Sequence, residues 1–236
     1  MRRPGRLLRG LSALVVVVGG AACVAPPDTP EVDASLVDEP PAVDPRIYTV
    51  RIRSTTCEGL GVGSGFLVDD RTIVTNRHVV EGAEVLEVET SEGDTLSVDV
   101  ASQGLLADLA VVRLDEPMDE ALGTRIPPAE LAEANPEPGD PVTAVGYPGG
   151  GPLTVTEGSV IDFKADPRLG NLSKVIRSDV EIHPVNSGGP AIGADDRVIG
   201  VVYAIEVDSE RSLLVPVETL RRVLDDTDGL EPVEPC

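Results

Sequence analysis

His78, Asp108 and Ser187 are the residues of this 236-residue chain whose types and spacing could do covalent chemistry. A seryl hydroxyl is a weak nucleophile at neutral pH. Acyl transfer through it needs a base to take its proton and a buried carboxylate to orient and stabilise that base. The three stand in Thr75-Asn76-Arg77-His78-Val79-Val80, Asp108-Leu109-Ala110-Val111-Val112-Arg113-Leu114 and Asn186-Ser187-Gly188-Gly189-Pro190. Taken singly, each has an ordinary structural role: a His near a strand end, an acid among 41, a Ser in a Gly-rich turn. The run Leu109 to Val112 is too apolar for an exposed strand, so Asp108 enters a buried one.

The order His, Asp about 30 residues on, then Ser about 80 beyond is the chymotrypsin-like order, not that of subtilisins or α/β-hydrolases. Gly63-Ser64-Gly65-Phe66-Leu67, Ala144-Val145-Gly146-Tyr147-Pro148 and Thr154-Val155-Thr156-Glu157-Gly158 extend the pattern. With them the chain resembles the trypsin-like serine protease family, in the bacterial envelope branch of HtrA/DegP-type and MarP-type enzymes, over residues 46–224. The resemblance implies an all-β, chymotrypsin-like fold: two six-stranded antiparallel β-barrels with a short C-terminal helix. It implies a serine endopeptidase with Ser187 as nucleophile, His78 as general base and acid, and Asp108 as orienter. The oxyanion hole would be the backbone N–H groups of Val185 and Ser187, and the substrate pocket would be lined by Glu181, His183, Val202 and Tyr203. Glu181 stands six positions before Ser187, where the family places the pocket base. It either attracts Arg or Lys side chains or faces solvent, and His183 either alters the pocket or covers it.

Val185 is the departure, since the family has Gly there. A β-branched residue reaches glycine's backbone angles at a cost of ~1–3 kcal/mol, so Val185 favours a flipped peptide with a carbonyl in the hole. Losing one oxyanion donor lowers turnover by ~10²–10³. The alternative to an active endopeptidase is therefore a catalytically impaired relative that binds peptides or a partner protein. An esterase-like hydrolase is a third reading. Retention of all three reactive residues favours the first.

The elements that must position these residues are strands. With no Trp, 2 Phe and 3 Tyr, the core is built from Val, Leu, Ile and Ala, and short β-branched runs alternate with Gly, Pro and Asp clusters. Strands are expected at 46–53, 65–68, 72–75, 84–90, 95–102 and 109–114 in a first barrel. A second barrel takes 142–147, 153–163, 174–179, 190–192, 197–205 and 211–215, after a connection at 116–140. Closure of both would remove sheet edges. Pro216 opens a helix to Leu224. Only 49 residues follow Ser187, which leaves room for the second barrel and no PDZ module.

Residues 1–22 read as an export signal: basic at Arg2, Arg3 and Arg6, apolar from Leu11 to Val18, small at Gly20-Ala21-Ala22. The apolar core is short of the ~20 residues a membrane span needs. Cys23 then resembles a lipidation site, although Gly20 stands where Leu or Val is usual, so a cell-envelope lipoprotein and a secreted or periplasmic protein both remain open. Residues 23–45 form an acidic, Pro-rich linker that stays extended, and 46–236 the protease domain. Three Cys leave one odd in an exported chain. With Cys23 lipidated, Cys57 and Cys236 would pair, as in the MarP-type arrangement, and a disulfide enclosing most of the domain would add about 4–5 kcal/mol. Two free thiols are the other reading.

The formal charge of −22 becomes −26 once the four Arg of residues 1–22 leave. So acidic a protein is disfavoured as a nucleic-acid binder, and it approaches an anionic membrane only through a lipid. Protein or peptide substrates are the expected partners. No Gly-rich phosphate loop or metal-spaced Cys/His cluster is present, so no cofactor is expected.

Overall fold

Short β-branched runs make the framework, and the computed structural model describes it over residues 43–103, 107–167, 170–182 and 186–236. The expected signal segment, Cys23 and nearly all of the linker lie outside the described residues, as do His183 and Val185. The first lobe runs β1 (Thr49–Thr56), β2 (Gly59–Leu67), β3 (Thr72–Thr75), α1 (Arg77–Val80), β4 (Ala83–Glu89), β5 (Thr95–Leu96), β6 (Val98–Gln103) and β7 (Ala110–Leu114). After α2 (Met118–Leu122) the second lobe takes β8 (Pro141–Gly146), β9 (Thr154–Asp166), β10 (Gly170–Ser178), β11 (Pro190–Ile192), β12 (Val198–Ile205) and β13 (Ser212–Pro216). The chain ends in α3 (Val217–Asp225) and β14 (Glu231–Pro232).

The second lobe is the expected six-stranded barrel, closed in the order β10-β13-β12-β11-β8-β9. Its core includes Val142, Val160, Ile176, Val202 and Leu214. The first lobe departs from expectation: its strands form an eight-stranded sheet in the order β14-β6-β7-β3-β2-β1-β4-β5. The single strand expected at 95–102 is broken, so β5 pairs with β4 over only two residues. The returning C-terminus then takes the free edge of β6 through Glu231 and Pro232, leaving no edge there to close a ring.

Strand β2 starts six residues before its expected first residue, because glycine has little strand propensity of its own and the stretch is held by pairing with β1 from Thr49↔Phe66 to Thr56↔Gly59. Two of its glycines are required by packing. A Cβ on Gly63 would meet Val79 of α1 at 2.5 Å, and one on Gly65 would meet Ile73 at 2.8 Å. Cys57 and Cys236 form a disulfide with Cα atoms 5.9 Å apart, closing 179 residues of chain. Helix α3 begins one residue later than expected and buries Val217 and Leu220.

Candidate active site

The acid and base come from neighbouring strands of one sheet. Strand β3 pairs with β7 through Thr75↔Ala110, which sets residues 76–78 beside Asp108. The Asp108 carbonyl accepts from Asn76 Nδ2 (2.7 Å) and from the Arg77 N–H (3.2 Å). Its carboxylate takes the His78 N–H on Oδ1 (3.0 Å) and the ring Nδ1 on Oδ2. The Asp108 side chain is 12% exposed and that of His78 37%. A carboxylate on Nδ1 favours the tautomer protonated there and frees Nε2 to act as a base.

Ser187 arrives on a turn from the second barrel. Gly188 (φ 90°) lies so close to the first lobe that a Cβ would collide with the Ser64 carbonyl and Thr75 Oγ1, and a Cβ on Gly189 would collide with the Val145 carbonyl. The turn is stapled to β12: the Gly188 N–H donates to the Val202 carbonyl (2.8 Å) and the Val202 N–H to the Gly189 carbonyl (2.9 Å). Ser64 couples it to both lobes. Its N–H donates to the Ser187 carbonyl (2.8 Å), its Oγ accepts from the Tyr147 N–H (2.9 Å), and its carbonyl accepts from Thr75 Oγ1 (2.6 Å). A second tie is Arg51 of β1, which donates to the Gly150 carbonyl (2.8 Å), ion-pairs with Glu89 and stacks on the Tyr147 ring at 5.4 Å. Burial pushes the Tyr147 phenol up to about 12, against the lowering effect of Arg51.

The Ser187 hydroxyl donates to the Tyr203 carbonyl at 3.2 Å, and no hydrogen bond to His78 is formed among the described residues. The structure thus brings His78 and Asp108 together and sets Ser187 in a turn locked against the same lobe, with its hydroxyl held elsewhere. Two substrate-lining expectations change. The side chain of Val202 is buried in the second-barrel core, and that of Tyr203 is 1% exposed. Both meet the nucleophile turn through backbone atoms. Glu181 is exposed. Ser64, Thr75 and Asn76 lie inside the motifs first noticed, but their couplings are contacts between segments far apart in sequence. Arg51 and Asp166, which accepts from the Tyr203 hydroxyl at 3.2 Å, carried no sequence signal.

A family model for the trypsin-like peptidase domain matches residues 63–201. The chain is 33% identical over 172 residues to the putative serine protease HhoB of Synechocystis sp., covering 70% of this chain and 40% of that protein. It is 30% identical over 174 residues to a probable periplasmic serine endoprotease DegP-like of Halomonas elongata, covering 71% and 35%. The chain therefore spans about two fifths of the length of the first curated relatives it matches, 40% and 42% of HhoB and HhoA. Among solved structures, the active form of the Rv3671c protease from M. tuberculosis superposes with a TM-score of 0.67 at 24% identity, over 86% of this chain and 89% of that one. The HtrA-type protease AlgW with tripeptide gives 0.67 at 24%, over 77% and 60%. At that identity the likeness establishes the two-lobed β fold.

Proposed function

The chain belongs to the trypsin-like peptidase family, and from that premise we propose that it is an exported serine endopeptidase of the bacterial cell envelope, hydrolysing proteins through an acyl-enzyme on Ser187. The observation that carries the reading is the His78–Asp108 pair, fixed by four hydrogen bonds to Asp108, beside a Gly-Gly turn that no larger residue could occupy. In the reaction, Nε2 of His78 takes the Ser187 proton as Oγ attacks the scissile carbonyl. Asp108 stabilises the imidazolium, which then protonates the leaving amine. Water deacylates the enzyme by the reverse proton path. The Ser187 and Val185 N–H groups would face the oxyanion.

An endopeptidase must hold chain on both sides of the bond it cuts, and the edges of two strands run up to Ser187. Strand β2 pairs with β3 only at Phe66 and Leu67. Its outer edge is used by Ser64 toward Ser187, and by alternation the same edge presents the backbone groups of Val62 and Leu60. On the other side β11 stops pairing with β12 at Val201, leaving Tyr203 to Ile205 with β13 as their only strand neighbour among the described residues. An extended peptide adds readily to such edges. Export is supported by the leader-like residues 1–22 and by the periplasmic naming of relatives; a lipid on Cys23 belongs to the same proposal.

A second reading, an impaired peptide-binding relative, is favoured by Val185 and by the Ser187 hydroxyl lying on Tyr203. A fluorophosphonate probe separates the two. Labelling of Ser187, absent in Ser187→Ala, is the expected result. No labelling, with Val185→Gly restoring it, would make binding the better reading.

A further inference from the structure

We infer that Leu60 is a specificity residue for the leaving side of the substrate: its exposed side chain selects a large apolar residue at the fourth position beyond the cut bond. The inference rests on the endopeptidase reading and deepens it by naming a side chain the substrate should carry.

Strand β2 opens Gly59-Leu60-Gly61-Val62-Gly63-Ser64-Gly65, with glycine at every second position. Side chains alternate between the two faces of a strand, so one face of this segment is bare and the other carries Leu60, Val62 and Ser64 in a row. Packing accounts for the bare face: a Cβ on Gly61 would collide with Ser54 Oγ, and those on Gly63 and Gly65 with Val79 and Ile73. On the other face Ser64 is buried and Val62 is half-buried under Gly150, whereas Leu60 is 83% exposed. Pairing with β1 and β4 carries the row across the sheet as Leu60, Thr55 and Val85, the last 53% exposed. The neighbouring rows are charged: Arg53 stands between Val62 and Glu87, and Arg51 between Ser64 and Glu89. An apolar strip therefore lies bare at one end of a face whose other end, Ser64, donates its N–H to the Ser187 carbonyl.

The leaving amine takes its proton from His78. Val79, the next residue, packs on Gly63, so β2 is the strand along which the leaving chain departs. Leu60 stands four residues from Ser64 on that strand, about 13 Å at the rise of an extended chain. A departing chain covers that length in four residues of its own. The residue across from Leu60 turns its side chain to the same face, with Cβ atoms about 5 Å apart. The third residue, by alternation, points the opposite way. A large apolar side chain at the fourth position covers Leu60 and takes its surface out of water; a short polar one leaves it wet.

The test uses internally quenched peptides built around a bond that the full chain cuts in denatured casein, identical except for Phe or Ser at the fourth leaving position. The Phe peptide should have the larger kcat/KM by about threefold to fivefold, the worth of one cross-strand apolar pair. Leu60→Thr should bring that ratio close to one, and the same exchange made at the third position should give a much smaller ratio in the native protein. Equal kcat/KM for the two peptides, a ratio that survives Leu60→Thr, or a preference centred on the third position would each overturn the inference and leave the endopeptidase reading standing, since the peptides are cut. Failure to cut casein at any bond would sink that reading and the inference with it. If Leu60→Thr does not fold, the exchanges at the third and fourth positions on the native protein decide alone.

Discussion

The first lobe has its half of the chemistry assembled and the second has its half withheld. In the first, four hydrogen bonds from residues 76–78 converge on Asp108 and set the imidazole, all at the adjoining ends of two paired strands. In the second, the turn carrying Ser187 is equally well fixed, through Gly188, Gly189 and Val202, yet the reactive hydroxyl is bonded to its own barrel. The difference teaches that local order and readiness to react are separate properties. A sheet can pre-orient an acid–base pair on its own. Joining that pair to a nucleophile depends on contacts across the lobes, which here run through Ser64 and Arg51.

The comparison is broken most completely by removing the reactive atoms. Ser187→Ala and His78→Ala should each lower peptidase turnover by ~10⁶, and Asp108→Asn by ~10⁴ through the wrong imidazole tautomer, read as kcat against a fluorogenic peptide. Asp108→Asn should leave the melting temperature of the second barrel's packing nearly unchanged, which separates chemistry from fold. In the opposite direction, Val185→Gly should raise turnover by ~10²–10³ if its oxyanion donor is misdirected; an unchanged kcat would show that Val185 costs nothing.

Gly188→Ala tests the joint itself. A left-handed backbone costs ~1–3 kcal/mol for a residue with a side chain, and the added methyl meets backbone of the first lobe, so urea unfolding should show a loss of at least ~3 kcal/mol. Ser64→Ala strips the acceptor of the buried Tyr147 N–H and should cost about 1–3 kcal/mol, with kcat falling more than that of a surface variant of equal stability. The smallest effect lies at the β12–β13 turn. The Lys164 ammonium, with the Ser209 hydroxyl, holds the Glu206 carboxyl below its ordinary range. The anchoring it gives is therefore present above that range and fades as pH falls through the lowered value. Lys164→Ala should bring the Glu206 titration upward by NMR and loosen the turn at less acidic pH; an unmoved titration would remove the pair from the account.

Much of this was legible in the residues. The continuous apolar runs at 109–114 and 198–205 fall on β7 and β12 because such side chains can only be buried on both faces. Likewise Asp108 could be placed at a buried strand from Leu109 to Val112 alone. The glycine run of β2 was legible only from Gly65 onward, since what makes it a strand is β1. The open edge of the first lobe was hidden for the same reason: whether β6 meets β5 or the C-terminus depends on a pairing between residues over a hundred positions apart. The register shift between Val202 and Ala204 leaves no trace in composition, and Tyr203, expected to line the substrate pocket, has its side chain in the core instead.

The bond between Cys57 and Cys236 spans His78, Asp108 and Ser187 alike. A protease at high local concentration meets its own exposed loops, and a single cut anywhere between those cysteines turns one chain into two. Both fragments would stay covalently joined, with strands still paired across the break. A nicked molecule should migrate as one species without reductant and as two with it, and wear from self-digestion would accumulate in this protein as scars before it appeared as loss.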